Sequence, residues 1–268
     1  MRKLSANEEV ILTDGYQMLE VDTKEEAQFS FVCRGKSEVF LKVKNAKQIT
    51  LKTKTEENGE LTFLIWNESE TPCEFEESHE LLKDASLQLS YGEVNQTEAS
   101  HHLVVDLLEP GAHAQVGSAT LTRVKKSFTM SVVSHADHTY GQIDNYGVVL
   151  TGGNYFVDAT GAIKKGAYAS ESHQTSCALC FDEGMKANIL PRLLIDENDV
   201  QASHATSLGS VDEEHMYYMQ ARGLSPQQCT ALISTGYLMP VTRTIQDETL
   251  QQELRAELER KIHELCSI

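Results

Sequence analysis

The residues best suited to chemistry in this chain are thiols and imidazoles in its second half. Cys177 and Cys180 form C-A-L-C, a spacing that can serve a metal ion or a redox pair. In an extended strand, positions i and i+3 project to opposite faces, so one thiol points outward when the other is buried and the two do not share an ion. Cys180, between Leu179 and Phe181, reads as a small core hydrophobe. Cys177 follows the polar run Gln174-Thr175-Ser176, which leaves it either exposed or a buried structural thiol. His204 stands in a small-residue corner between an alternating strand, Leu194 to Val200, and a helix opened by Ser210 and acidic residues. An imidazole at such a seam is a candidate ligand. His135-Ala-Asp137-His138 has the residue types of a metal site, but in a strand residues 135 and 137 share a face that 138 does not. His101-His102 and His113 carry no spacing signal. No phosphate-binding G-x-x-x-x-G-K-S/T, no G-x-G-x-x-G after a strand, no G-x-S-x-G and no H-E-x-x-H is present, so the usual catalytic signatures are missing.

These residues sit in a chain of 268 residues, 40% apolar, long enough for one large domain or two small ones. Lysine and arginine number 23 against 40 acids, and the net charge of −17 repels nucleic-acid phosphates and anionic membrane surfaces. Six scattered cysteines and no apolar leader after Met-Arg-Lys point to reduced thiols in a cytoplasmic setting. No apolar run approaches the roughly 20 residues that cross a bilayer.

From about Glu9 to Val200 short β-prone runs dominate: Glu9–Leu12, Gln28–Val32, Val39–Val43, Ile49–Thr53, Leu61–Trp66, Leu87–Tyr91, Leu103–Leu108, Ala119–Leu121 and Phe128–Val133. Their spacing fits a sandwich, a barrel or a solenoid about equally. Between residues 101 and 200 the corners are small and polar, as at Gly111-Ala112-His113 and Gly152-Gly153-Asn154, with no proline from 111 to 190 and no fixed hairpin dipeptides. That tilts the reading towards a wound β-helix, although no strict repeat is visible. The grammar changes after Gly209. The pattern predicts helices over about 212–222 and 226–235, with Ser225-Pro226 as cap and first position, and a third over about 246–265. Leu250, Leu254, Leu258, Ile262 and Leu265 form its stripe, and Glu257 lies four residues ahead of Lys261. The stripe packs either on the chain's own β body or on a partner. The expected division is therefore a β core over 1–209, irregular before its regular coils, and a helical segment over 210–268.

A longer string resembles a known family. Ser203-His204 and Gly209, the acidic start Asp212-Glu213-Glu214, then Met216-Tyr217-Tyr218-Met219 and Ala221-Arg222-Gly223-Leu224 resemble the C-terminal signature of the SufB/SufD family of iron–sulfur cluster assembly proteins. Upstream, Ala167 to Cys177 and Ala187 to Val200, with Pro191 and Ile195, are similar to two further family stretches. The likeness covers about residues 140–238. It implies a fold that is mainly β, a right-handed parallel β-helix followed by C-terminal helices. It implies that two such subunits associate through their β-helices and that each helical segment docks a SufC-type ABC ATPase, which would explain the missing phosphate loop.

By that resemblance Cys177 falls where SufB-type members carry the thiol implicated in receiving sulfur, and His204 where SufD-type members carry an interface histidine. A chain holding both implies a homodimeric, non-enzymatic scaffold in which Cys177 of one protomer faces His204 of the other around a transient iron–sulfur cluster. A sulfur donor and apoprotein recipients follow as further partners. Two departures stand out: the N-terminal helical region of longer members is absent, and the carboxylate after the corresponding histidine in SufB-type proteins is Ala205 here. Glu171 is the nearby acid that would supply a metal ligand or proton acceptor. The alternatives are an adaptor that recruits the ATPase while a paralogue does the chemistry, and a β-helix enzyme acting on polysaccharide through His135, Asp137 and His138, which a single tryptophan disfavours.

Overall fold

Alternating apolar and polar residues let each extended segment bury one face. The chain uses that alternation throughout a computed structural model, which describes residues 1–181 and 184–266. The strands are β1 (Arg2–Lys3), β2 (Glu8–Leu12), β3 (Gly15–Asp22), β4 (Glu26–Cys33), β5 (Lys36–Asn45), β6 (Gln48–Thr55), β7 (Glu60–Asn67), β8 (Cys73–Leu81) and β9 (Ser86–Glu93). They continue as β10 (Ala99–Leu107), β11 (His113–Thr122), β12 (Lys125–Ser134), β13 (Tyr140–Val149), β14 (Asn154–Ile163), β15 (Ser170–Cys180), β16 (Lys186–Ile195) and β17 (Val200–Ser210). Odd-numbered strands form one nine-stranded parallel sheet in sequence order, and even-numbered strands an eight-stranded parallel sheet facing it. The chain passes from one sheet to the other and back in about seven coils.

This is the parallel β-helix and not the sandwich or barrel. The coil lengthens along the molecule, since Gly15 pairs with Ser37, 22 residues on, and Asn154 pairs with Lys186, 32 residues on. A repeat that drifts in this way leaves no fixed period in the sequence. The small polar corners do what their composition implies. Gly111 adopts φ +76°, where any Cβ would stand 2.0 Å from an Asp84 carboxylate oxygen.

Inside the coils, in-register pairing places like positions on top of one another. His101 lies between Phe75 and Phe128 on the neighbouring strands, with ring centroids 4.2 and 4.7 Å away and planes within 10° of parallel. The sequence gives this imidazole no prominence, yet it is only 1% exposed and organises a buried charge cluster. Its Nε2 lies 2.9 Å from Glu93 and its Nδ1 3.6 Å from Glu77. Lys126 donates to Glu93 at 2.6 Å and also to Asn95, Tyr91 donates to Glu77 at 2.9 Å, and Asn67 donates to Glu93 at 2.8 Å. Burial raises the Glu93 carboxyl, but the Lys126 ammonium and His101 outweigh it and bring the group from 4.5 down to about 2. Burial lowers His101, and Glu77 and Glu93 overcome it, leaving the imidazole above its ordinary 6.5. The buried carboxylates of Glu77 and Glu93 thus face the His101 imidazole and the Lys126 ammonium inside the coils.

The helical segment follows as α1 (Glu213–Ala221), α2 (Pro226–Leu238), a 3₁₀ turn over Met239–Arg243, and α3 (Glu248–Cys266). Ser225 caps α2 through a reciprocal pair with Gln228, with Pro226 in the first turn as the sequence predicts, but the helix runs three residues beyond the expected 235. The α3 stripe packs on the chain itself: Leu250, Leu254, Leu258 and Ile262 cover the outer face of the nine-stranded sheet with Phe40, Leu64, Trp66, Val94 and Leu121. Cys266 takes the last buried place, and Leu265 is only partly buried. Glu257 faces that sheet too, where burial and then Glu68 push its carboxyl up; the i,i+4 ion pairs of α3 are instead Arg255–Glu259 and Arg260–Glu264. Among the described residues no helix is long and apolar enough to cross a membrane.

Replacing Lys126 by Met leaves Glu93 buried beside a weakened counter-charge and is expected to cost about 3–5 kcal/mol of stability; adding Glu93→Gln restores most of the loss, both read from urea denaturation. The Glu93 contribution is present above its ordinary 4.5 and lost as pH falls towards about 2. The His101 contribution is complete below 6.5 and lost as pH rises through its raised value. The urea midpoint should therefore peak between pH 4.5 and 6.5.

Candidate functional site

The outer face of the nine-stranded sheet is divided lengthwise. The early outward positions of its later strands are polar: Tyr140, Gln142 and Asp144 on β13, and Glu171, His173 and Thr175 on β15. The later ones, such as Val148, pack beneath the helices. One row of paired residues runs along the boundary, from Trp66 through Gly92, Ala119 and Tyr146 to Cys177 and Ser207. It starts at a fully buried indole and ends on an exposed edge strand.

Cys177 is half-buried on this row, facing outward. Tyr146 stands beside it in register, and Tyr237 on α2 lies against Tyr146. The two tyrosine rings meet edge to face, centroids 5.7 Å apart at 87°. Burial and then the Cys177 thiol push Tyr237 up to about 12, and burial with Asp144 and Cys177 raises Tyr146. Behind the strand Gly147 leaves room for Tyr155, whose ring a Cβ there would approach to 2.5 Å. Cys180 projects to the other face, as the i, i+3 argument requires, and packs half-buried against the solenoid interior, where burial raises its thiol.

A second polar group lies further along the same face. His173 accepts from the Ser203 hydroxyl at 2.7 Å through Nδ1 and donates to Glu171 at 3.1 Å through Nε2. Tyr140 donates to Gln142 at 2.6 Å, and Gln142 donates to Asp144 at 2.6 Å. Burial raises Asp144, partly offset by hydrogen bonds from Thr175 and Gln142. Glu171 and Cys177 share the face but stand six residues apart, roughly 20 Å along an extended strand. Within one chain they do not meet at one ion.

His204 lies on β17, paired with Gln174. Gln174 points inward and is 3% exposed, so the pleat sends His204 to the inner face of the last coil. That coil is open: along β17 every residue after Val200 is exposed. Cys177 and His204 are thus on the last two strands of one sheet and on opposite faces of it. His135 and His138 do not converge either. His135 Nε2 contacts Asp106 at 2.7 Å, and His138, at φ 55°, contacts Asp137 at 3.0 Å and the Tyr168 ring. Among the described residues no group of three or more His, Cys, Asp or Glu is arranged to hold a metal ion.

The family model for the SUF system FeS cluster assembly, SufBD core domain, matches residues 8–237. The chain belongs to the SufBD family. Relatives include the iron–sulfur cluster assembly protein SufD of Bacillus subtilis, 27% identical over 67% of this chain and 42% of that protein. SufD of Escherichia coli is 25% identical over 36% of this chain and 23% of its own length. A SufBD family protein of Pyrococcus horikoshii is 29% identical over 33% and 21%. This SufBD chain therefore spans less than half the length of the curated relatives it matches here.

The site residues that sequence reasoning passed over are Tyr146, Tyr237 and His173. His173 was within reach, because it shares strand parity with Glu171 and Cys177; Tyr237 comes from a helix whose docking no local pattern reveals. In this SufBD chain, brief treatment of the native protein with iodoacetamide should label Cys177 first and Cys180 more slowly. Cys33, Cys73, Cys229 and Cys266, none more than 6% exposed, should stay protected until urea unfolds the protein, as read by peptide mass spectrometry.

Proposed function

We propose that this chain is a scaffold subunit of a SUF-type system, on which a nascent iron–sulfur cluster is built between two β-helices. The observation that carries the reading is the placing of Cys177 and His204 on the last two strands of an uncapped end, facing opposite ways. A thiolate and an imidazole so arranged can share iron only when a second chain brings its own pair to the same end. Soft thiolate with imidazole suits iron, and an incomplete set from each chain suits a cluster that must leave again. The uncapped end supports such a contact, because Leu190, Leu194 and Leu208 are 43–55% exposed there and β17 offers an unpaired edge.

In this reading the chain is not itself an enzyme. The energy comes from a SufC-type ABC ATPase seated on the helical segment, where Tyr217, Tyr218 and Leu232 are exposed and α1 buries no residue. With the α3 stripe consumed by the chain's own sheet, the docking role falls to α1 and the outer side of α2. ATP-driven closure would move those helices as a body relative to the coils. Sulfur arrives from a cytoplasmic donor at Cys177, and the finished cluster passes to apoproteins.

Anaerobic reconstitution with ferrous iron and sulfide tests the chemistry. The wild type should develop cluster absorbance and Cys177→Ala should lose most of it; equal absorbance would remove Cys177 from the mechanism. Sedimentation tests the assembly, with a dimer expected for the wild type and a monomer for Leu194→Glu combined with Leu208→Glu. A second reading, an adaptor paired with a different β-helix chain, draws support from the SufD names of two relatives. A monomeric wild type that dimerises only with a paralogue would favour it.

A further inference from the structure

The outer face of the nine-stranded sheet is hollowed where two of its residues are small. Ser90, Gly117 and Asp144 pair in register on β9, β11 and β13, so one outward row passes from a hydroxymethyl group, through no side chain at all, to a carboxylate. Nothing larger fits at its centre. A Cβ on Gly117 would stand 2.8 Å from the Asp144 carbonyl oxygen. The C-terminal end of α2 and the 3₁₀ turn bridge the hollow, and the 3.0 Å bond from Thr244 to Ser90 ties the bridge to the sheet. A cavity of about 270 Å³ is left between the two layers.

The chemistry of the walls narrows what can enter. Tyr146 and Tyr237, edge to face with each other, stand with Asp144 on one side, and Leu238 and Val241 supply an apolar wall. The exposed side-chain amides of Gln88 and Gln115, paired in register, form the rim. Among the described residues no lysine, arginine or histidine lines the cavity. A ligand carboxylate or phosphate would therefore find no counter-charge there, whereas a cation finds one carboxylate and two aromatic rings. Gln142 already donates to Asp144 Oδ2 at 2.6 Å, leaving Oδ1 to an incoming group. That favours the single-point ammonium over a guanidinium, whose two-pronged donor set wants both oxygens. The volume falls below the roughly 300–1,000 Å³ of sites for drug-sized molecules, so the ligand is small.

We propose that this cavity binds a small primary amine, its ammonium on the Asp144 carboxylate and its apolar body against Tyr237, Leu238 and Val241. Such a ligand touches the sheet and the helical layer at once, and neither Cys177 nor His204 lines its site. The site therefore stands or falls independently of the cluster chemistry.

Benzylamine, charged near neutral pH, serves as the probe in a titration of the nitrogen-15-labelled full chain at physiological salt, which screens the overall net charge of −17. Saturable shifts are expected at the backbone amides of Gly117, Tyr237 and Thr244. Benzyl alcohol, of nearly the same shape but uncharged, should bind about tenfold more weakly or worse, the worth of a charge-assisted hydrogen bond. Asp144→Asn should lower benzylamine affinity by a similar factor, while Asp196→Asn, an exposed acid on the corner after β16, should leave it unchanged. Absence of saturable shifts at those amides, equal binding of the alcohol, or an equal loss in the Asp196→Asn chain overturns the proposal. The comparison of amine with alcohol uses the unaltered chain and decides the matter even where Asp144→Asn disturbs its strand.

Discussion

Parallel, in-register stacking is the constraint from which the rest of this molecule follows. Each inward side chain lies about 4.8 Å above its counterpart in the previous coil, so residues meet their equivalents and not complementary partners. Apolar and aromatic rows tolerate this well. Charges do not, because a column of identical buried charges would repel. The cluster around His101 meets that restriction by pairing across the interior: Glu77 and His79 come from β8, His101 from β10 and Lys126 from β12, while Glu93 and Tyr91 reach over from β9 in the opposite sheet. Within its own column the imidazole is flanked by phenyl rings, which accept a cation over their faces.

The same stacking shapes the outside. Rows on the outer face of the nine-stranded sheet keep their character from coil to coil, which creates one continuous apolar stripe and one polar stripe. The apolar stripe must be covered, and α3 with the end of α2 covers it. Cys177 owes its half-buried state to lying where the two stripes meet, one strand from the end. A thiol fully under the helices would be inert, whereas one on this boundary row stays reachable.

The stacking also explains what the sequence could and could not disclose. Strands whose inward rows are apolar, such as Leu61–Trp66 and Phe128–Val133, were legible by alternation alone. The strand β8, Cys-Glu-Phe-Glu-Glu-Ser-His-Glu-Leu, was not, because Glu77 and His79 occupy inward positions and mask the pattern. The buried cluster was hidden for the same reason: Glu93 reaches His101 across 8 residues and Lys126 across 33, contacts made only through the coil pitch. Cys177 and His204 stood out by residue type and setting, a family likeness gave them roles and added Glu171, and the pleat then decides which of them share a face. The solenoid itself emerged from its small polar corners, while the drifting coil length concealed the repeat. The destination of the α3 stripe was open, since a sequence shows that a face is apolar and not what covers it.

The open end concentrates the remaining physics. A chain of net charge −17 repels a second copy at long range, so two copies approach only where local charge is low and apolar area is available. The strand β17 contains no Asp, Glu, Lys or Arg, and β16 carries only the basic Lys186 and Arg192, with Arg192 already paired to Asp158 at 2.7 Å. The end of the solenoid is thus a neutral, partly apolar window in an acidic surface. Stacking that continues through such a window is energetically the continuation of the fold: the edge hydrogen-bond groups of β17 and the inner faces of Leu208 and His204 gain the neighbours that every earlier coil already has. Whatever chain fills that place completes the column to which His204 belongs, and does so one strand away from Cys177.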